Sequence, residues 1–158
     1  MLAFPLIGDG VVIDRLLPTD APALSRSHSD PENARYQGWK CPLSEAEALA
    51  FIEEQSGEDA VQFAIREEAG GPFAGDLYLN RDGSSLEVGL TLVPGFHGRG
   101  VATAAVRSVI DTARTLDGVE RLVAHIDVPN VRSRALFERV GFRPVHERDG
   151  LIEVELRL

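Results

Sequence analysis

Cysteine and lysine are almost missing from this sequence, which has one of each, Cys41 and Lys40. With one thiol no intrachain disulfide can form, and the composition fits a reducing compartment, so the cytoplasm is the expected location. No metal site is expected either, because His28, His97, His125 and His146 are scattered without ligand spacing and no second cysteine joins Cys41. Long apolar runs are also lacking. The stretch 1–8 has no basic residues and breaks early, so it reads as neither a signal peptide nor a membrane span. Positive charge is scarce: 16 Lys and Arg face 25 Asp and Glu, a formal charge of −9. That balance argues against nucleic acid as a partner, since a phosphate-backbone binder needs clustered cations. It favours cationic partners such as amines, although an acidic surface also serves solubility.

What is present is one chain of 158 residues with 44% hydrophobic content, enough for one packed core and too little for two ordinary domains. A single domain over 1–158 is expected, with no repeats or low-complexity tracts. The pattern predicts a strand at 11–17, a short helix from Thr19-Asp20 to Ser29, and a helix at 44–54 with Ser44 and Glu47 as its capping box. Strands at 60–67, 73–81 and 86–93, joined by Gly70-Gly71 and Asp82-Gly83, form an antiparallel meander. A helix at 101–116 and a strand at 121–128 complete a crossover that makes strands 86–93 and 121–128 parallel. A helix at 131–140 ending at Gly141 and a strand at 151–158 finish the chain. The fold class is mixed α/β: a mostly antiparallel central sheet flanked by helices.

The functional signal lies in Leu92-Val93-Pro94-Gly95-Phe96-His97-Gly98-Arg99-Gly100-Val101-Ala102, where a strand runs through a glycine-broken turn into a long helix. A helix starting there aims its free N–H groups and positive dipole end at the turn, and glycines let an anion approach the backbone closely. A P-loop is excluded, because Val101 and Ala102 stand where its Lys and hydroxyl belong. A dinucleotide fingerprint finds two of its three glycines, at Gly98 and Gly100, which keeps a nucleotide-binding protein among the readings. The third reading is the closest in letters. His97-Gly98-Arg99-Gly100-Val101-Ala102 resembles the acyl-CoA loop of the GNAT acetyltransferases, [QR]-x-x-G-x-[GA], with His in first position.

The stretch from Asn130 through Ser133, Leu136 and Phe137 to Gly141-Phe142 is similar to that family's N-x-x-S-x-x-[LV]-[YF]-x-x-x-G-F segment, about thirty residues downstream as in the family. Residues 34–39 and 44–52 resemble the branch typified by ribosomal-protein-alanine N-acetyltransferases. The resemblance implies a GNAT-type sheet whose central parallel pair splays to admit acetyl-CoA as cosubstrate, and an N-acetyltransferase acting by direct attack of a primary amine on the thioester. The acceptor would be a protein N-terminus or a small-molecule amine, with no nucleic acid, membrane or metal involved. Dimerisation is common in that branch, which leaves a homodimer open.

Carried over residue by residue, the resemblance implies that the backbone of His97, Gly98, Arg99, Gly100 and Ala102, with Val101 in the same turn, cradles the pyrophosphate, and that Arg99 adds charge. Main-chain groups of Leu92 and Val93 would pair with the pantetheine arm, the N–H near Leu92 would polarise the thioester carbonyl, and Asn130 and Ser133 would contact the cofactor. Free amines near pKa ~10 are mostly protonated at neutral pH, so a base is needed. Glu87, on one strand face with Gly89 and Thr91, is the candidate, with an edge glutamate facing solvent as the plainer reading. Phe137 occupies the position where many family members carry a proton-donating Tyr, leaving Ser133 or water to serve the thiolate. Tyr36 and Trp39 are candidates for the acceptor pocket, or core residues. The alternative from another class is an acyl-CoA-binding module without catalysis.

Overall fold

A computed structural model of the chain describes residues 2–36 and 38–158. Met1 and Gln37, the latter inside the segment that carries the branch resemblance, lie outside the described residues. An eight-stranded sheet runs in the order β1-β2-β3-β4-β5-β6-β8-β7. Its strands are β1 (Leu6–Gly8), β2 (Val11–Arg15), β3 (Gln62–Arg66), β4 (Gly75–Asp82), β5 (Ser85–Leu92), β6 (Arg121–Asp127), β7 (Arg143–Arg148) and β8 (Leu151–Arg157). Every neighbouring pair is antiparallel except β5 and β6. Helices α1 (Ala21–Ser29), α2 (Pro31–Ala34) and α3 (Glu45–Glu54) precede β3, α4 (Val101–Ala113) links β5 to β6, and α5 (Val131–Arg139) follows β6.

Period-two alternation sends Ile13, Ile65, Leu77, Leu79, Val88 and Leu122 to one face of the sheet, where they meet the apolar stripe of α4 and Phe137 of α5. The opposite face holds a smaller cluster in which Ala64 and Phe73 meet Leu24 of α1 and Ala48 and Ile52 of α3. Two buried polar bridges tie that layer down. Arg66 on β3 pairs with Asp20 at 2.6 Å, and Nε2 of the fully buried His28 bonds Asp76 Oδ1 on β4 at 2.8 Å, with Gln62 donating to the second carboxylate oxygen. Breaking either bridge from one side would strand a buried polar or charged group, which holds α1 in one register on the sheet.

Several sequence expectations change. Thr19-Asp20 forms a 3-10 turn rather than a side-chain cap, and the Asp20 carboxylate accepts from Leu17 N while it binds Arg66. Asp30-Pro31 ends α1 but also opens α2, with Asp30 accepting from Asn33 N at 3.0 Å. Strands β1 and β7 are additions: β1 has three residues, too few to show a period, and every residue of β7 is exposed at the sheet edge, so it carries no apolar alternation. The capping box on Ser44 and Glu47 forms as read.

Candidate active site

Strands β5 and β6 pair only at Ser85–Arg121, Leu86–Leu122 and Glu87–Val123, although β5 continues to Leu92 and β6 to Asp127. The two therefore separate beyond Glu87 and leave a wedge between them. Val93 N–H donates to Ala74 O at 2.8 Å, and the alternation of an antiparallel ladder then turns the main-chain groups of Leu90 and Leu92 towards the wedge. Gly75 makes the β4 contact close: a Cβ there would press into the Thr91 carbonyl and sit 2.9 Å from Leu92 Cα. The expectation that Val93 offers a free main-chain edge is thus corrected. Its N–H is taken by Ala74, the residue just before β4, and the edge facing the wedge is made by Leu90 and Leu92.

The wedge opens into a cleft of about 850 Å³ between the end of β5, the first turn of α4, the α2 segment and α5. Gly98 (φ +74°) and Gly100 (φ +77°) take left-handed conformations that form the turn, and a Cβ on either would meet no atom within 4 Å. Gly100 is also the N-cap of α4 and among the described residues no side chain caps that end, so the first-turn amides from Val101 onwards keep free hydrogens. Gly98, Gly100, Val101 and Ala102 all line the cleft, although the Val101 side chain is buried in the core and contributes only backbone.

His97 faces the same space and is fixed at both nitrogens. Arg132 can only donate, so its 2.7 Å contact makes Nδ1 the acceptor and leaves Nε2–H to donate to Leu92 O at 3.2 Å. Asn33 Nδ2 donates to the same carbonyl at 2.9 Å. Arg99 departs from expectation. Its guanidinium forms an ion pair with Glu67 at 2.7 Å and lies 5.1 Å from the Phe96 ring centroid, away from the cleft wall. The cations on that wall are instead Arg35, Arg132 and Arg139, against one carboxylate, Glu32.

Asn130 and Ser133 stand at the N-terminal end of α5 and line the cleft, with Asn130 Oδ1 accepting from Ser133 N at 3.3 Å, so Asn130 is a helix cap as well as a cleft residue. Phe137 is 2% exposed and packs edge-to-face on Phe142 at 5.0 Å; it faces the core. Tyr36 lines the cleft, and its hydroxyl reaches Pro129 O at 3.4 Å across it. Trp39 does not. It packs on His28 (4.0 Å) and Phe51 (4.5 Å) in the smaller core cluster, which corrects its assignment to the acceptor pocket.

Glu87 sits at the last paired rung, on the face opposite α4, and accepts from His125 Nδ1 at 2.9 Å; the other ring nitrogen lies 3.2 Å from Glu153. Partial burial pulls the His125 pKa down, but hydrogen bonds and charge from Glu87 and then Glu153 outweigh it and hold the value above the ordinary histidine range. Burial, reinforced by the Glu87 charge, raises the Tyr78 phenol on the same face. Glu87 is not on the cleft wall: three residues of strand rise, about 10 Å, separate it from Leu90. Between them Gly89 adds no side chain, and a Cβ there would have only Tyr78 Cβ within 4 Å.

Among the cleft residues that the sequence reading misses are Glu32, Leu90, Thr103, Asn33, Arg35, Arg132 and Arg139. The last two were detectable in principle, since Arg132, Ser133, Leu136 and Arg139 fall at i, i+1, i+4 and i+7 on one helical face. Asn33 was not, because α2 is four residues long. Among the described residues no group of three or more His, Cys, Asp or Glu is placed to hold a metal ion, and no helix is long and apolar enough to cross a membrane.

The architecture recurs in solved structures. A GNAT-family acetyltransferase from Bacillus anthracis is similar at TM-score 0.83 and 16% identity, over 98% of each chain. RimJ from Mycobacterium smegmatis, solved in complex with CoA-disulfide, is similar at TM-score 0.76 and 23% identity, over 98% of this chain and 86% of its own. Spermidine N-acetyltransferase from Vibrio cholerae, solved with CoA and spermine, is similar at TM-score 0.75 and 16% identity, over 94% and 95%. No curated protein sequence matches. The family model described as Acetyltransferase (GNAT) domain matches residues 11–143, a span that holds the parted strands, the glycine turn and α5 together, and the chain belongs to the GNAT acetyltransferases.

Proposed function

We propose that this protein is an acetyl-CoA-dependent N-acetyltransferase that moves the acetyl group to a primary amine, a protein N-terminus or a small-molecule amine, by direct attack on the thioester. The observation that carries the proposal is the joining of the parted β5–β6 pair to a helix N-terminus with free amides, in a cleft walled by three guanidinium groups in a chain of net charge −9. An anion with an extended arm suits that space: amides of the 98–102 turn take the diphosphate, and the arm lies along Leu90 and Leu92 as an added strand. The Vibrio cholerae neighbour is a spermidine N-acetyltransferase solved with the polyamine spermine, which supports an amine acceptor.

In the proposed step the lone pair of a neutral amine attacks the thioester carbonyl carbon. The oxyanion that forms is held by main-chain N–H groups of the Leu90–Leu92 edge. Collapse breaks the C–S bond and releases the thiolate of CoA. The proton lost by nitrogen passes through water, over Gly89, to Glu87, and the thiolate takes a proton from solvent, with Ser133 orienting the sulfur. Buried Phe137 has no part in this transfer.

Following thiol release from acetyl-CoA with a panel of primary amines tests the proposal. Turnover with at least one amine supports it. Tight CoA binding with no thiol release on any amine would replace it with a non-catalytic acyl-CoA-binding module.

A further inference from the structure

Arg132 and Arg139 lie on the same face of α5, seven residues apart, so they stand about 10.5 Å apart along the helix axis and within about 20° of one direction. Arg132 is beside His97 at the glycine turn. Arg139 lies further out, where its Nη1 donates to Thr103 Oγ1, the third residue of α4, at 3.2 Å. All of these residues line the one cleft. Arg66, Arg99 and Arg121 each have a carboxylate partner, whereas among the described residues neither Arg132 nor Arg139 has one. Two unneutralised guanidinium groups on a single wall, in a chain with a large excess of acid, fit a ligand carrying two separated anionic groups better than a ligand with one.

Acyl-CoA is such a ligand, because its ribose separates the 5′-diphosphate from a monophosphate on the 3′-oxygen. We propose that Arg139 and the Thr103 hydroxyl form a second anion subsite that receives the ribose 3′-phosphate, so that the protein selects the phosphorylated acyl donor over acetyl-dephospho-CoA. The inference rests on the acyl-CoA reading of the cleft. Arg139 keeps further N–H groups for phosphate oxygens while one holds Thr103, and the threonine hydrogen is free to donate to the same phosphate. Arg132 and the α4 amides remain for the diphosphate. Because Arg139 is exposed, its replacement leaves the core intact.

The test compares KM for acetyl-CoA and acetyl-dephospho-CoA in the wild type, Arg139→Ala and Arg139→Lys, with calorimetric titration of 3′,5′-ADP against 5′-ADP as a readout independent of turnover. The wild type is expected to show a KM about tenfold lower for acetyl-CoA at equal kcat, a ratio that shrinks as salt rises. Arg139→Ala should raise the acetyl-CoA KM to the dephospho value and leave the latter unchanged, and Arg139→Lys should restore part of the ratio. Equal KM values in the wild type, or a ratio that survives Arg139→Ala, overturn the subsite while leaving the acetyltransferase reading in place. Failure of every CoA form and both nucleotides to bind overturns both.

Discussion

Replacing Gly100 with valine separates what the fold needs from what the ligand needs. Gly100 has φ +77°, and a β-branched residue forced into the left-handed region costs about 1–2 kcal/mol. For a chain of this size each kcal/mol lowers Tm by about 2–4 °C, so the melt should fall by about 2–8 °C. Space is not the difficulty, because no atom lies within 4 Å of the added Cβ. The side chain instead enters the volume above the first-turn amides of α4. An anion held there by charge-assisted hydrogen bonds gains about 1.5–3 kcal/mol from each. Loss of two such bonds raises the KM for acetyl-CoA by about 10² to 10⁴-fold. Gly75→Ala should do the reverse: its methyl group meets the Thr91 carbonyl and Leu92 Cα, so stability falls first and cofactor affinity follows only through the displaced strand. Thiol-release kinetics and thermal melts of the two variants, run together, give the comparison. A folded Gly100→Val protein with the parental KM would refute the placement of the diphosphate at this turn.

Three other expectations follow from the site. Glu87→Gln should lower kcat by about 10²-fold and shift the acid limb of its pH profile while the acetyl-CoA KM holds, and a parental profile would remove Glu87 from the mechanism. His125 has a folded-state pKa above its unfolded value, so its contribution to stability is complete below about pH 6.5 and is lost as pH rises through the folded value. Melts of the wild type and His125→Asn from pH 5.5 to 9 should therefore differ most at the acid end, and a constant difference would contradict the Glu87–His125–Glu153 bridge. Trp39→Ala should cost about 3 kcal/mol of stability in chemical denaturation, with little effect on the KM for the amine once folded; a selective rise in that KM would return Trp39 to the acceptor pocket.

The pieces of this fold that were readable from sequence are those with a strong local cause. Ser44 with Glu47 marked α3, the stripe of α4 was periodic, and a strand-helix-strand crossover can join β5 to β6 in parallel in essentially one hand. The glycine turn was readable because Gly98 and Gly100 leave a pattern in the letters themselves. What escaped depends on residues meeting across the fold. Arg99 sits in the loop motif, yet Glu67 on a distant hairpin draws its guanidinium away, and Arg132 supplies the charge from α5. Trp39 neighbours cleft residues in sequence but turns towards His28, an aromatic contact no local window contains. The sequence places Glu87 on a strand, but its bond to His125 depends on a strand pairing with no short-range signature.

The Leu92 carbonyl has further consequences for how a ligand enters. Both of its lone pairs are taken, one by Asn33 and one by His97. An incoming amide that seeks this oxygen must evict a resident donor, and His97, at the longer distance, is the one to yield. On the acyl-CoA reading proposed above, loading would be an exchange of partners: a phosphate that drew Arg132 towards itself would take away the donor at Nδ1 and leave the imidazole held only through Leu92 O. Such coupling would tie the arm's foothold on the strand to the arrival of the charged head, and a truncated thioester without phosphates would find the seat still occupied.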